Sequence, residues 1–251
     1  MAGLKEETTV DNTNPNEVQQ PVAERRKIDP SLEGIQLFYE TNKNAVNYIG
    51  GGLLLVVAAF IFYKLYYLPE KENEASNEIF WAQSYFEKDS FNLALKGGKM
   101  VMSPDGQKPM MGFEQVADEY SMTKSGSLAN YYAGICYLRT GNFEKAIEFL
   151  GKYDGDDEVV SSIAIGAIGD CNMELKRNDE AVKYYMKAVN NSDNDFTAPF
   201  YLKKAAFAYE QKGDYAQAKS AFERIEKEYP RATESQDVKK NIARVTALGN
   251  L

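Results

Sequence analysis

The sequence predicts an all-α protein: a solenoid of helical hairpins behind a single transmembrane helix. Three observations predict it. Residues 46–63 (VNYIGGGLLLVVAAFIFY) form a run of 18 residues without a charge. Beyond residue 69, apolar residues recur at helical rather than strand spacing, punctuated by Gly-Asn, Gly-Asp and Asn-Asp turns. Small residues also recur at near-constant intervals. Gly134, Gly169 and Ala206 are 35 and then 37 residues apart, and so are Ala146, Ala181 and Ala218.

Composition narrows the function before any element is placed. The 251 residues carry 29 Lys/Arg against 37 Asp/Glu, a formal charge of −8. An acidic chain lacks the basic face that phosphate binding needs, so nucleic acid is not expected as a partner. Histidine is absent, which removes His general bases, Ser–His and Cys–His pairs and imidazole metal sites. Two cysteines, Cys136 and Cys171, exclude a four-thiolate zinc site and a disulfide-rich scaffold.

Taken in order, residues 1–30 are rich in Glu, Thr, Asn, Gln and Pro. They bury too little surface to offset chain entropy, so a disordered cytoplasmic tail is expected. Residues 31–44 form a juxtamembrane segment; Leu32, Ile35, Leu37, Phe38 and Tyr39 suit either a short surface helix or a plain extension. Residues 45–67 are the transmembrane helix. Ten residues of the uncharged run are Val, Ile, Leu or Phe, which favour insertion by about 3–6 kcal/mol in total. Lys43 and Lys64 flank it, and Tyr48, Tyr63, Tyr66 and Tyr67 sit where amphipathic rings prefer the interface. Arg26, Lys27 and Lys43 precede the span closely, whereas only Lys64 and Lys71 follow it. The positive-inside bias puts the N-terminus in the cytoplasm and exports residues 69–251.

The exported domain divides into helices over 70–96, a degenerate unit over 109–121, repeats over 127–153, 158–190 and 197–230, and a capping helix over 233–248. Between the first two, residues 97–109 contain Ser103-Pro104-Asp105-Gly106, a turn signal inside an expected long loop. Phe113 to Tyr120 (FEQVADEY) echoes Phe222 to Tyr229 (FERIEKEY) at an offset of 109, about three repeats. In each repeat the two small residues are 12 apart across a turn, which predicts that they face each other and let antiparallel helices approach closely. Larger residues such as Tyr137, Leu150, Tyr185, Tyr209 and Phe222 then fill the space between hairpins.

Little here resembles catalytic machinery. Asp154, Asp156, Asp157 and Glu158 precede a helix, where acids complement the dipole; the 12-residue cation-loop pattern is absent. Neither Gly50-Gly51-Gly52 nor Gly97-Gly98 leads into a Gly-Lys-Ser/Thr helix start. Cys136 and Cys171 hold matching places in successive hairpins, at a spacing of about 8–10 Å that exceeds disulfide reach; free buried thiols are expected. No catalytic residue, metal or cofactor is predicted, and the chain is not expected to be an enzyme.

The hairpins resemble the tetratricopeptide repeat (TPR) over residues 112–230. Tyr131-Tyr132-Ala133-Gly134 with Gly141-Asn142-Phe143 and Ala205-Ala206-Phe207 with Gly213-Asp214-Tyr215 follow its small–aromatic order, and Pro230 supplies the closing proline. The middle unit departs, with Asn172 for an aromatic and Lys176 for the turn glycine. The resemblance implies a concave face built from the first helix of each hairpin: Tyr131, Ile135 and Leu138, then Asp170 and Met173, then Phe200, Lys203 and Phe207. It lacks the Lys/Asn cluster with which some TPR modules clamp a C-terminal carboxylate. The full layout of tail, span and repeats, including residues 128–150 (LANYYAGICYLRTGNFEKAIEFL), resembles the ancillary-subunit family of the bacterial Sec translocon. That implies an inner-membrane protein with a periplasmic interaction module. Its partners would be translocon subunits, a periplasmic chaperone or a nascent exported protein, with the lipid bilayer held through residues 45–67. A scaffold of another envelope machine (secretion, Tol–Pal-like or division) and an organelle import receptor are the alternatives.

Overall fold

A computed structural model describes residues 30–103, 106–192 and 194–251, in two compact units, Met1–Ala58 and Ala59–Leu251. The expected disordered tail lies, but for residue 30, outside the described residues. In the first unit, α1 (Pro30–Thr41) precedes α2 (Lys43–Phe62), which runs into the second unit and buries no residue. Ile35, Leu37 and Phe38 of α1 are exposed. Within Lys43–Phe86, the described residues contain one helix long and apolar enough to cross a membrane. A π-helical turn, Tyr63–Tyr67, follows α2, with Phe62 stacked on Tyr66 and Tyr63 on Tyr67 at 5.6 and 5.5 Å.

The second unit continues with α3 (Leu68–Phe86), α4 (Phe91–Lys96), β1 (Gly97–Ser103), β2 (Gly106–Met111) and α5 (Phe113–Glu119). Three longer hairpins follow: α6 (Lys124–Arg139) with α7 (Phe143–Lys152), α8 (Glu158–Glu174) with α9 (Asn178–Asn191), and α10 (Thr197–Gln211) with α11 (Tyr215–Glu228). A 3₁₀ turn (Thr233–Asp237) leads into α12 (Val238–Gly249), which covers α11. The domain is a mostly helical solenoid in which each helix packs chiefly on its sequence neighbours.

The hairpin turns share one hydrogen-bond pattern. At Gly141 the N–H donates to the Leu138 carbonyl, and the next N–H, of Asn142, reaches back to Tyr137. Lys176 with Arg177, and Gly213 with Asp214, repeat both bonds. This is the Schellman closure of a helix, which needs a left-handed residue; φ is +78°, +58° and +75° at Gly141, Lys176 and Gly213. Asp89, at φ +54°, makes the same pair of bonds with Ser90 at the α3–α4 turn. The α3–α4 turn is therefore a fourth copy. Seven residues before each left-handed residue stand Ala82, Gly134, Gly169 and Ala206, and five after stand Ala94, Ala146, Ala181 and Ala218; all eight are buried.

The fourth copy corrects the expected division between helices over 70–96 and a unit over 109–121. Ala94 precedes Ala146 by 52 residues, whereas Phe113 precedes Leu150 by 37. The difference is a 15-residue insertion that splits one second helix into α4 and α5. The insertion is the β1–β2 hairpin, not the loop expected over 97–109. It is antiparallel, with Met100 opposite Pro109, Val101 opposite Lys108 and Ser103 opposite Gly106. Val101 and Met110 turn inward against the core while Met100 and Met102 are exposed, the period of two that a half-buried strand requires. The insertion closes at its base because two glycines meet. A Cβ on Gly112 would lie 2.2 Å from the Leu95 carbonyl oxygen, and one on Gly97 would lie 2.4 Å from the Gly112 nitrogen. The Lys108 ammonium pairs with Glu78 of α3 and pins the hairpin to the solenoid.

Inside the hairpins the small residues act differently from expectation. Gly134 is closed over by Leu150 and Gly169 by the Tyr185 ring, each one turn beyond the alanine expected to face it. The bulky residue four after each alanine occupies the gap left by the missing side chain. Asn172, in place of an aromatic, is buried and donates to the Ile168 carbonyl at 2.8 Å, so its burial leaves that amide donor satisfied.

Candidate functional site

The first helices of successive hairpins line an open cleft of about 1050 Å³, at the upper end of ligand-site sizes. Their shared register explains the lining. Three residues before the turn residue come Phe86, Leu138 and Met173; six before come Ile135, Asp170 and Phe207. Tyr131 and Phe200 complete the aromatic walls, with Phe143 of α7 and Tyr185 of α9 entering from the second helices. Tyr131 packs between Tyr132 and Tyr153 at centroid distances of 5.4 and 5.6 Å.

Seven of the eight residues proposed from sequence line this cleft: Tyr131, Ile135, Leu138, Asp170, Met173, Phe200 and Phe207. Lys203 does not; it is half-buried, and its neighbour Lys204 lines the cleft instead. The inward face of α10 is Phe200, Lys204 and Phe207, at helical spacing of four and three, and Lys203 lies off that stripe. Phe86 was missed because its repeat was not recognised; the pair Ala82 and Ala94, 12 apart as in the other units, is the signal that marks it.

One ion pair occupies the cleft floor. Lys204 Nζ donates to both Asp170 oxygens at 2.7 Å, and the Tyr185 hydroxyl donates to Asp170 Oδ1 at 2.7 Å. Both charged side chains are about one-third exposed. The ammonium also lies 4.8 Å from the Phe200 ring centroid and 5.9 Å from that of Tyr185. Gly169 makes this arrangement possible, since a Cβ there would stand 2.6 Å from Tyr185 ring carbons. Burial first, and then the Asp170 carboxylate, push the Tyr185 and Tyr201 hydroxyls well above the usual tyrosine range, so both remain protonated. A separate cavity of about 500 Å³, lined by Phe196 and Arg231 among others, shares Ile163, Phe200 and Tyr201 with the cleft.

Elsewhere the chemistry is quiet. Cys136 and Cys171 are separate buried thiols, each pushed up to about 12 by burial. Asp157 caps α8 by accepting from the Val160 N–H at 2.9 Å, and Asp156 pairs with Lys124 at 2.8 Å. Among the described residues no cluster of three metal-ligating side chains occurs.

Comparison with known proteins agrees with this geometry. Residues 128–153 and 202–232 match one tetratricopeptide repeat model, and residues 164–195 match another. Tetratricopeptide repeat protein 29 of Macaca fascicularis is 27% identical over 124 residues, 46% of this chain and 26% of that protein. The Homo sapiens protein of the same name gives the same figures. The matched stretch spans about a quarter of those relatives. A crystal structure of nearly identical TPR-like repeats from Podosopora anserina superposes with a TM-score of 0.49 at 13% identity, over 71% of this chain and 88% of that one. The Yersinia enterocolitica type III secretion translocator chaperone SycD gives 0.40 at 18% identity, over 53% of this chain and 95% of that one. The family-model matches, with the chain's own hairpins, show that it carries tetratricopeptide repeats folded as a TPR-like helical solenoid.

Proposed function

We propose that this chain is a membrane-anchored, non-enzymatic docking protein, an accessory subunit of the Sec translocon that links it to periplasmic chaperones or emerging chains. TPR repeats are in general protein-interaction scaffolds. The observation that carries the proposal is the cleft itself, an aromatic and aliphatic surface continued through every hairpin from Phe86 to Phe207. A surface of that extent suits an extended polypeptide better than a small molecule, and no Ser, Thr, Cys or His is among its lining residues.

The apolar helix supports the anchoring. Residues 45–67 hold the repeats at the inner membrane, with the N-terminus cytoplasmic and the repeats periplasmic. Tethering raises the effective concentration of the cleft at the export site, so individually weak contacts suffice.

Affinity purification of the full chain in mild detergent, followed by mass spectrometry, tests this reading. The expected result is recovery of translocon subunits or periplasmic chaperones, with the cleft-dependent partner lost in a Phe200→Ser/Phe207→Ser variant that still pellets with membranes. Recovery of the same partners by both forms, or extraction of the chain by alkaline carbonate, contradicts it.

A further inference from the structure

The cleft contains both charge signs, and their arrangement selects what it accepts. Of the two cations among its lining residues, Lys204 is held by both Asp170 oxygens. The other, Arg139, stands exposed at the rim, one repeat before the exposed Glu174 in the same register. Beyond Phe207, the Arg244 guanidinium lies 5.6 Å from the ring and is bonded to Glu210 at 2.8 Å. The interior charge is thus self-neutralised, and the rest of the wall is aromatic or aliphatic.

The Asp170 position is costly to build. Its repeat equivalents are Gln83, Ile135 and Phe207, none of them charged. A lone carboxylate there would be poorly solvated, and it is retained with two dedicated partners, Lys204 and Tyr185, the second admitted by Gly169. Without Asp170, Lys204 would present a free ammonium at the centre of the cleft, the feature that takes a carboxylate.

We infer that Asp170 fixes the ligand class: by occupying Lys204 it leaves the cleft interior without a free cation to select chain-terminal or side-chain carboxylates, so the cleft takes an internal, uncharged, apolar and aromatic segment of an extended polypeptide. This inference rests on the docking function proposed above. Charge complementarity carries it, since a wall with no unmatched interior charge loses least by desolvation against a segment that brings none.

The test is fluorescence anisotropy with the full chain in detergent micelles. The probes are labelled 12-residue peptides rich in Phe, Leu and Tyr, with a C-terminal amide, with a free carboxylate, or with one central Lys. The unsubstituted chain is expected to bind the amide and the carboxylate within about twofold of each other. Asp170→Asn is expected to shift that ratio toward the carboxylate by about tenfold, the effect of one charge-assisted bond of about 1.4 kcal/mol. Lys204→Gln exposes the carboxylate instead and is expected to favour the Lys peptide by a similar factor, which keeps the test open should one variant misfold. A tenfold carboxylate preference in the unsubstituted chain, or unchanged ratios in both folded variants, overturns the role of Asp170 while leaving the docking function intact. No binding of any peptide by any form overturns the docking function and this inference together. So does a dimer seen by sedimentation and dissolved by Phe200→Ser, which would assign the cleft to a second copy.

Discussion

Lys176 holds a backbone conformation that its side chain opposes, and replacing it with glycine is a direct test of the repeat geometry. Its φ of +58° places it where Gly141 and Gly213 sit in the neighbouring turns. A left-handed non-glycine residue costs about 1–2 kcal/mol. Glycine regains that but loosens the unfolded chain by about 0.4–1 kcal/mol. The Lys176 side chain is exposed and, among the described residues, no ion pair links it to an acid, so little else changes. Lys176→Gly is expected to stabilise the domain by about 0.5–1 kcal/mol, which for a domain of this size raises the melting temperature by about 1–4 °C. Thermal unfolding of the full chain in detergent, followed by circular dichroism at 222 nm, reads the shift. Gly141→Ala, the reverse change at the equivalent position, should lower it by a similar amount. A Lys176→Gly variant that melts lower than the unsubstituted chain would refute the equivalence of the turns.

Four further outcomes follow from named contacts. Gly169→Ala drives a methyl into the Tyr185 ring and should cost about 1–3 kcal/mol by overpacking, read in the same melts. Deleting residues 97–111 should leave a cooperatively folded protein, because a 15-residue loss rejoins α4 and α5 in helical register; a 13-residue deletion rotates Phe113 by about 200° and should abolish the cooperative transition. Native Cys136 and Cys171 should resist alkylation at pH 8, since burial holds both thiols protonated, and react fully in guanidinium; native labelling within minutes contradicts this. The Asp156 carboxyl is held below its ordinary range first by its hydrogen bond from Lys124 and then by that residue's charge. Its folded value being the lower, the pair adds stability above the ordinary aspartate range near pH 4, and that stability fades as pH falls through the lowered value. NMR titration should return Asp156 to the ordinary range in Lys124→Met.

The all-α hairpin architecture was legible because two local signals coincide in α6 to α11: left-handed turn residues, and small residues 12 apart. Where both are present, at Gly141 and Gly213, periodicity and turn chemistry agree. The first repeat was illegible because Asp89 carries the turn without a glycine and because β1–β2 interrupts the second helix. The strands themselves were hidden by Gly97-Gly98 and Ser103-Pro104-Asp105-Gly106, which read as loop. Their alternation rests on only Val101 and Met110 as inward residues, too few to outweigh the turn signals. In the cleft, the resemblance to the tetratricopeptide repeat placed most of the lining residues, because each first helix repeats its inward face. It could not choose between Lys203 and Lys204. That choice depends on where Asp170 and Tyr185 lie in the preceding hairpin, which is a tertiary fact.

The central claim is that the concave cleft, rather than the outer face of the solenoid, grips polypeptide. Site-specific photocrosslinking of the full chain in intact cells tests it most directly, with a photoreactive residue placed in turn at Ile135 and Phe200 in the cleft and at Lys183 and Lys187 on the exposed side of α9. Protein adducts from the two cleft positions and none from α9 are predicted. Adducts from α9 with none from Ile135 or Phe200 would contradict the account.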